Sequence, residues 1–328
     1  MSFYKYLFSA NYRNFFRNLK RIAKSEKRCF LALLIKSVYL MLRYGYGMAD
    51  FVNYELYKKN KAECLAYVST KEENIFYEKV SPSAYKKRYT VKPAFLADFA
   101  AYTKRDFIVP AEAGYEATAA FLERHSVFMS KPYDGLAGHD VTKEYTADIT
   151  DKKAFYDRAV ENRLFFEELV RQHPDLNVLC PASVNTMRVM TFNDHGIPRI
   201  LWMGLRVGNG VNAVDNFHAK GMGVNIDVET GRLCGDGIDK DLNHFSEHPV
   251  THVRYDGFQI PCFAEAKEMV LKAALESDKI LVVGWDVAIS ENGPVIIEGN
   301  RRPGFDLPQV LADRGLREIV DSVSNSLS

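Results

Sequence analysis

The sequence predicts an α+β fold with mainly antiparallel sheets, and three observations carry that prediction. Residues Val184–Phe192 and Pro198–Val207 are β-rich and meet at Asn193-Asp-His-Gly196, a hairpin signal. Ile280–Ile289 and Pro294–Glu298 form a second apolar pair around Glu291-Asn-Gly293. From about residue 94 onward, short apolar runs alternate with helical ones without the regular spacing of βαβ units.

The elements follow in order. Ser126–Ser130 reads as a strand leading into a glycine loop. Thr150 is expected to cap a helix over Asp151–Arg163. Leu164–Val170 is a short buried strand, Pro261 opens a helix running to about Asp278, and a last helix follows Pro308. Upstream, residues 45–92 are mixed, with Lys58-Lys-Asn-Lys61 and Lys86-Lys-Arg88 as solvent-facing turns.

Composition narrows the function. The 328 residues carry 43 basic and 42 acidic side chains and are 47% hydrophobic, which excludes intrinsic disorder and allows one large domain or two to three lobes. Five scattered cysteines without a C-x-x-C pair indicate reduced thiols in a cytosolic protein, not a disulfide frame or a zinc site. No apolar run reaches the roughly 18 residues of a membrane span. Residues 1–30 nevertheless hold a local charge of +7, leaving −6 for the rest. Basic charge confined to one end is not the footprint of a nucleic-acid recognition surface.

That end interleaves seven aromatics from Phe3 to Phe16 with eight cations, then runs Phe30–Leu42, an apolar stretch interrupted by the charge of Lys36. It is too short to span a bilayer and starts too late for a signal peptide. Two readings stand: helices packed on the body with a solvated basic face, or a peripheral anchor of residues 1–42 on an anionic membrane surface.

The chemistry concentrates in Gly284-Trp-Asp286, Glu291-Asn-Gly293 and Val295-Ile-Ile-Glu298-Gly-Asn300. Two carboxylates ending buried strands need compensation, and a cation supplies it. Glu298 and Asn300 share a strand face. A two-residue Asn292-Gly293 turn would set Asp286 opposite Gly299. A three-residue loop with Gly293 left-handed would set it opposite Glu298, so metal binding predicts the bulged loop. Oxygen donors of this kind suit Mg²⁺; exposed hairpin ends are the alternative. Lys131, before Pro-Tyr-Asp-Gly135-Leu-Ala-Gly138, can place a cation and backbone N–H groups around phosphates, or simply precede a glycine turn. Thr186 and Arg188 share a strand face, where Arg188 meets either an anion or a structural salt bridge; Arg206 is a second such cation. Ser83-Ala-Tyr-Lys86 fits S-x-x-K without its companion motifs, and phosphate-loop, Rossmann, nucleophile-elbow and zincin motifs are absent.

Taken in order, Lys131-Pro with its glycine loop, Glu167-Glu-Leu-Val170, Gln172-His-Pro174, Ser183-Val-Asn-Thr186, Asp215-Asn-Phe-His218, Gly284-Trp-Asp286 and Glu298-Gly-Asn300 resemble the ATP-grasp superfamily. They look most like its sugar-transfer-associated group, over about residues 95–310. The resemblance implies an N-terminal lobe 93–170 and a C-terminal lobe 171–328, the two lobes enclosing ATP, while residues 1–92 read from composition as a helical, basic and aromatic region. It implies Lys131, Gly135 and Gly138 at the phosphates, Glu167, Glu168, Leu169 and Val170 lining adenine and ribose, and Asn185 beside the nucleotide. Asp286, Glu298 and Asn300 would hold two Mg²⁺ ions. Gly221-Met-Gly departs from the paired glycines expected after Asp215-Asn216, and Lys104 is a candidate for the earlier ATP-contacting lysine.

The implied activity is a carboxylate–amine ligase working through an acylphosphate in surface-polysaccharide or sugar-conjugate synthesis. Arg188 would hold the phosphoryl group; Arg206, Arg301 or Arg302 would hold the substrate carboxylate. A kinase acting on a sugar or lipid hydroxyl, and a nucleotide-binding module of a membrane-associated polysaccharide assembly, are the alternatives. The expected location is cytoplasmic, with attachment at the inner face of the membrane as the alternative that the anchor reading adds.

Overall fold

The structure is a computed structural model in which residues 12–133, 141–210 and 221–327 are described. Two antiparallel sheets organise it. The smaller has the order β1-β4-β2-β3, built from Phe107–Ile108 (β1), Val127–Pro132 (β2), Thr142–Tyr145 (β3) and Leu164–Glu168 (β4). The larger has the order β11-β10-β5-β6-β7-β8-β9. Its strands are Thr186–Asp194 (β5), Ile197–Val207 (β6), Met222–Ile226 (β7), Leu233–Asp239 (β8), His244–Phe245 (β9), Val282–Ser290 (β10) and Gly293–Asn300 (β11).

The first 80 residues contribute helices: Tyr12–Ser25 (α1), Phe30–Tyr44 (α2), Met48–Asn53 (α3), Lys61–Ala66 (α4) and Thr70–Val80 (α5). Phe15, Leu19 and Ile22 recur at helical spacing and bury one side of α1. Gly45 ends α2 in the left-handed conformation (φ +78°), a position that strains any residue with a Cβ. Ser69 and Glu72 form a reciprocal capping box on α5.

Both faces of the seven-stranded sheet are covered, and strand alternation sorts its residues between them. Met187, Val189, Met203, Leu205, Val283, Trp285 and Val287 pack with the helix Phe263–Leu275 and with Phe95 and Phe99. Met190, Phe192, Trp202 and Val282 face the other way, against α1–α5 and the helices Asp306–Ala312 and Arg317–Ser326. Buried Gln309 locks this second layer: it accepts from the Val68 N–H at 2.7 Å and donates back to the Val68 carbonyl at 3.3 Å. The N-terminal helices thus share a core with the large sheet.

Some element ends move relative to the sequence expectation. Asp151, not Thr150, caps the helix, which runs Lys152–Glu161; its carboxylate accepts the Ala154 N–H at 2.9 Å. The helix near Pro261 begins at Phe263, after Cys262. The helix expected after Pro308 starts at Asp306, which puts the proline in the first turn, where its missing N–H costs nothing. The Asn193–Gly196 hairpin forms as read, with His195 and Gly196 both left-handed (φ +50° and +90°) and Asn193 accepting the Gly196 N–H.

Candidate active site

Arg188 on β5 lies directly opposite Asp286 on β10, and Asp286 lies opposite Glu298 on β11. This row of three crosses three adjacent strands on the face that also carries Thr186. Gly284 leaves space beside it: a Cβ there would sit 2.4 Å from that of Pro303 and 3.3 Å from Arg188 Cδ.

A bulge makes the row possible. Val287 pairs with Ile296, and one residue on, Asp286 pairs with Glu298, so Ile297 is the extra residue. Ile296 is buried in the core of the opposite face. Two residues further along a regular strand, Glu298 would point into that same core; the bulge turns Glu298 and Asn300 to the site. The expected outcome, Asp286 facing Glu298, holds, and Gly293 is left-handed at φ +97°. The device differs from expectation. At the turn Ser290 pairs with Gly293, not with residue 294, and the offset that aligns the carboxylates arises at Ile297.

Electrostatics divide the two carboxylates. Asp286 is buried and bonded by Arg188 through Nε and Nη2 (the latter at 3.1 Å) and by Arg206 Nη2 at 2.9 Å. Burial alone would raise its pKa, but the two guanidinium groups prevail and hold it below the usual carboxylate range. The salt-bridge alternative for Arg188 is therefore what this structure shows. Glu298 is half-buried, and burial and the neighbouring Asp286 push its pKa up. Asn300 donates to it at 3.3 Å. Two adjacent carboxylates, one of them raised by its neighbour, with an amide oxygen two residues away, fit a hard divalent cation such as Mg²⁺.

The small sheet offers the complementary charge. Lys131 on β2 ion-pairs with Glu167 on β4, and Arg105 lies 3.6 Å from the same carboxylate. Against the cost of burial, Lys131 and then Arg105 lower the Glu167 pKa. Lys92 joins them: burial and then Lys131 lower its pKa, opposed by Glu298 and Glu167.

Sequence reasoning missed Lys92 and Arg105. Lys104, the earlier candidate, is exposed and reaches only the Pro294 carbonyl at 3.5 Å. Its neighbour Arg105 is the buried cation, donating to the Ile296 carbonyl at 2.9 Å and to that of Ile297 at 3.2 Å. Arg105 therefore ties the bulge to Glu167. The available signal was Lys92-Pro93, the same dipeptide as Lys131-Pro132.

Other expected residues lie apart from the row. Asn185 is fully buried; its amide donates to the Leu176 and Cys180 carbonyls at 3.4 Å, so it holds the 176–185 segment. Arg301 turns to the Ser81 carbonyl at 3.2 Å, and burial and then Arg302 lower its pKa. Glu168 bonds the Asp106 N–H, while Leu169 and Val170 follow the end of β4 and are half-buried. Gly135, Gly138 and Asp215–His218 lie outside the described residues.

Known proteins supply the comparison. No curated protein matches the chain. The ATP-grasp ligase PsnB complexed with its minimal precursor is 16% identical, covering 83% of this chain and 76% of that one at a TM-score of 0.47. With a phosphomimetic precursor variant, Mg and ADP, PsnB aligns at 15% identity and a TM-score of 0.46 over 76% of this chain, which spans 61% of that one. The D-alanine–D-alanine ligase from Coxiella burnetii is 10% identical at a TM-score of 0.43, covering 73% of this chain and 59% of that one. The family model described as sugar-transfer associated ATP-grasp matches residues 112–325, well over half the chain. The chain belongs to the sugar-transfer associated ATP-grasp family.

Proposed function

We propose that this protein is an ATP- and Mg²⁺-dependent ligase that joins a carboxylate to an amine, or less readily a hydroxyl, on a sugar-linked acceptor. The observation that supports it most is the Arg188–Asp286–Glu298 row with Asn300 on the large sheet, linked electrostatically through Lys92, at the start of a helix, to the Lys131–Glu167 pair of the small sheet. A nucleoside triphosphate needs cations at its phosphates and an oxygen cage for its metal, and these groups provide both.

In this reading a substrate carboxylate oxygen attacks the γ-phosphorus, the bond to ADP breaks, and an acylphosphate forms. The acceptor nitrogen then attacks the carbonyl carbon, phosphate leaves, and the nitrogen loses a proton. Asp286, Glu298 and Asn300 would hold two Mg²⁺ ions, which would neutralise charge on the phosphates. Lys131 binds phosphate oxygens. Arg188 and Arg206, held in place by Asp286, present guanidinium N–H groups to the transferring phosphoryl and the substrate carboxylate. Glu167 keeps Lys131 and Arg105 positioned while its strand backs the nucleotide.

The family's association with sugar transfer supports a polysaccharide or sugar-conjugate acceptor, and the basic, aromatic N-terminal end supports work at the inner face of a membrane. The test is ADP release from ATP and Mg²⁺ across a panel of amino acids and sugar amines, with products weighed by mass spectrometry. A condensed product that Glu298→Gln cannot form supports the ligase; normal turnover by that variant refutes the metal assignment.

A further inference from the structure

Helix α2 is apolar on its solvent side as well as on the side that packs on the protein. At about 100° per residue, Val38, Leu31, Leu42, Ile35 and Tyr39 fall within an arc of about 100° on its outer side. All five are exposed, Leu31 by 59%, Ile35 by 61% and Leu42 by 75%. The side turned to the protein carries buried Leu33, Ser37 and Leu40 with partly buried Phe30, Leu34 and Tyr44. The solvent arc is therefore apolar in addition to the packed side, and a second apolar face of this kind calls for a partner.

The adjoining helix indicates which partner. In α1, Phe15, Leu19 and Ile22 face inward, so Arg13, Arg17, Lys20, Arg21 and Lys24 cluster on the opposite side within an arc of about 100°. All five are exposed, and among the described residues none is in an ion pair. No acidic residue precedes Glu26. Tyr12 and Phe16 are exposed on the same helix, and α1 packs directly on α2. Among the described residues no helix is long and apolar enough to cross a membrane.

We propose that α1 and α2 form a docking surface for an anionic phospholipid bilayer. The apolar arc of α2 enters the headgroup–acyl boundary while the α1 cations and Arg43 meet lipid phosphates. A protein partner would need an acidic rim around an apolar groove; a bilayer supplies both chemistries at once. The inference specifies the attachment suggested above but does not depend on the ligase chemistry, because lipid binding needs neither ATP nor acceptor.

The test is flotation of the full-length protein with vesicles of phosphatidylcholine alone and of phosphatidylcholine mixed with phosphatidylglycerol. Binding to the mixed vesicles only, released by high salt, is expected. Ile35→Glu/Leu42→Glu, on exposed positions, should abolish flotation while keeping the thermal transition. Lys20→Ala/Arg21→Ala/Lys24→Ala should weaken it about a hundredfold, at roughly fivefold per cation. Equal flotation on both vesicle types, or unchanged flotation of either variant, overturns the proposal. So does light scattering that shows a dimer dispersed by Ile35→Glu/Leu42→Glu without vesicle binding, which would make the occupant a second copy. Absent flotation together with a lowered thermal transition in that variant also overturns it, since the face would then be covered by the protein's own chain.

Discussion

Two substitutions one strand apart should change stability in opposite directions. Asp286→Asn removes the carboxylate that accepts from both Arg188 and Arg206, whose side chains are only 14% and 13% exposed. Stripping one partner from a buried ion pair costs about 3–5 kcal/mol, because the remaining charge stays buried. At the unfolding entropy of a 328-residue chain, that lowers the Tm by about 4–7 °C. Glu298→Gln has the opposite sign. Burial and Asp286 raise the Glu298 pKa, so its ionised form opposes folding at neutral pH, and the neutral amide should raise the Tm of the metal-free protein. Both variants should lose the additional stabilisation that Mg²⁺ and ATP confer on the native protein. Differential scanning calorimetry with and without Mg²⁺–ATP measures all of this. An Asp286→Asn Tm at or above wild type, or a Glu298→Gln Tm lowered to the same extent, would refute the division of labour between the two carboxylates.

Three further outcomes follow from the same geometry. Arg105→Ala leaves the Ile296 and Ile297 carbonyls without this donor, at about 1–3 kcal/mol for each buried group orphaned, and leaves Glu167 with Lys131 but without its second cation. Calorimetric titration should show weaker Mg²⁺–ATP binding as the bulge loosens. Gly284→Ala drives a methyl into Pro303 and should cost about 1–3 kcal/mol while displacing Arg188, read as lost turnover with a folded circular dichroism spectrum. Glu73 lies near Asp306 and Asp50 and bonds the Phe305 N–H at 3.4 Å; burial, then Asp306, raise its pKa to about 8. Because the native state binds this proton more tightly than the unfolded chain, stability should fall as pH rises from the ordinary 4.5 through about 8, and Glu73→Gln should flatten that slope in urea melts.

Strand alternation and hairpin chemistry made the large sheet legible. Thr186 and Arg188 share a face because successive side chains alternate, and Asn193–Gly196 turns where its left-handed residues permit. The Asp286–Glu298 apposition was legible only as a condition, since pattern alone does not locate an extra residue. Its cause, Ile297, reads like any strand residue and is held by Arg105, 192 positions earlier. Lys92 was missed for a related reason. Its place in the site depends on how a helical segment packs between two sheets, and local sequence does not encode that contact.

The chemistry itself is tested most directly by trapping the intermediate. Wild-type protein, ATP, Mg²⁺ and a panel of amino acids and sugar acids are incubated with hydroxylamine in place of the acceptor. A carboxylate-dependent hydroxamate, formed one for one with ADP and absent in Glu298→Gln, is the predicted result. A stable phosphoester of a sugar or lipid hydroxyl, with no hydroxamate from any carboxylate, would contradict ligation and make the enzyme a kinase.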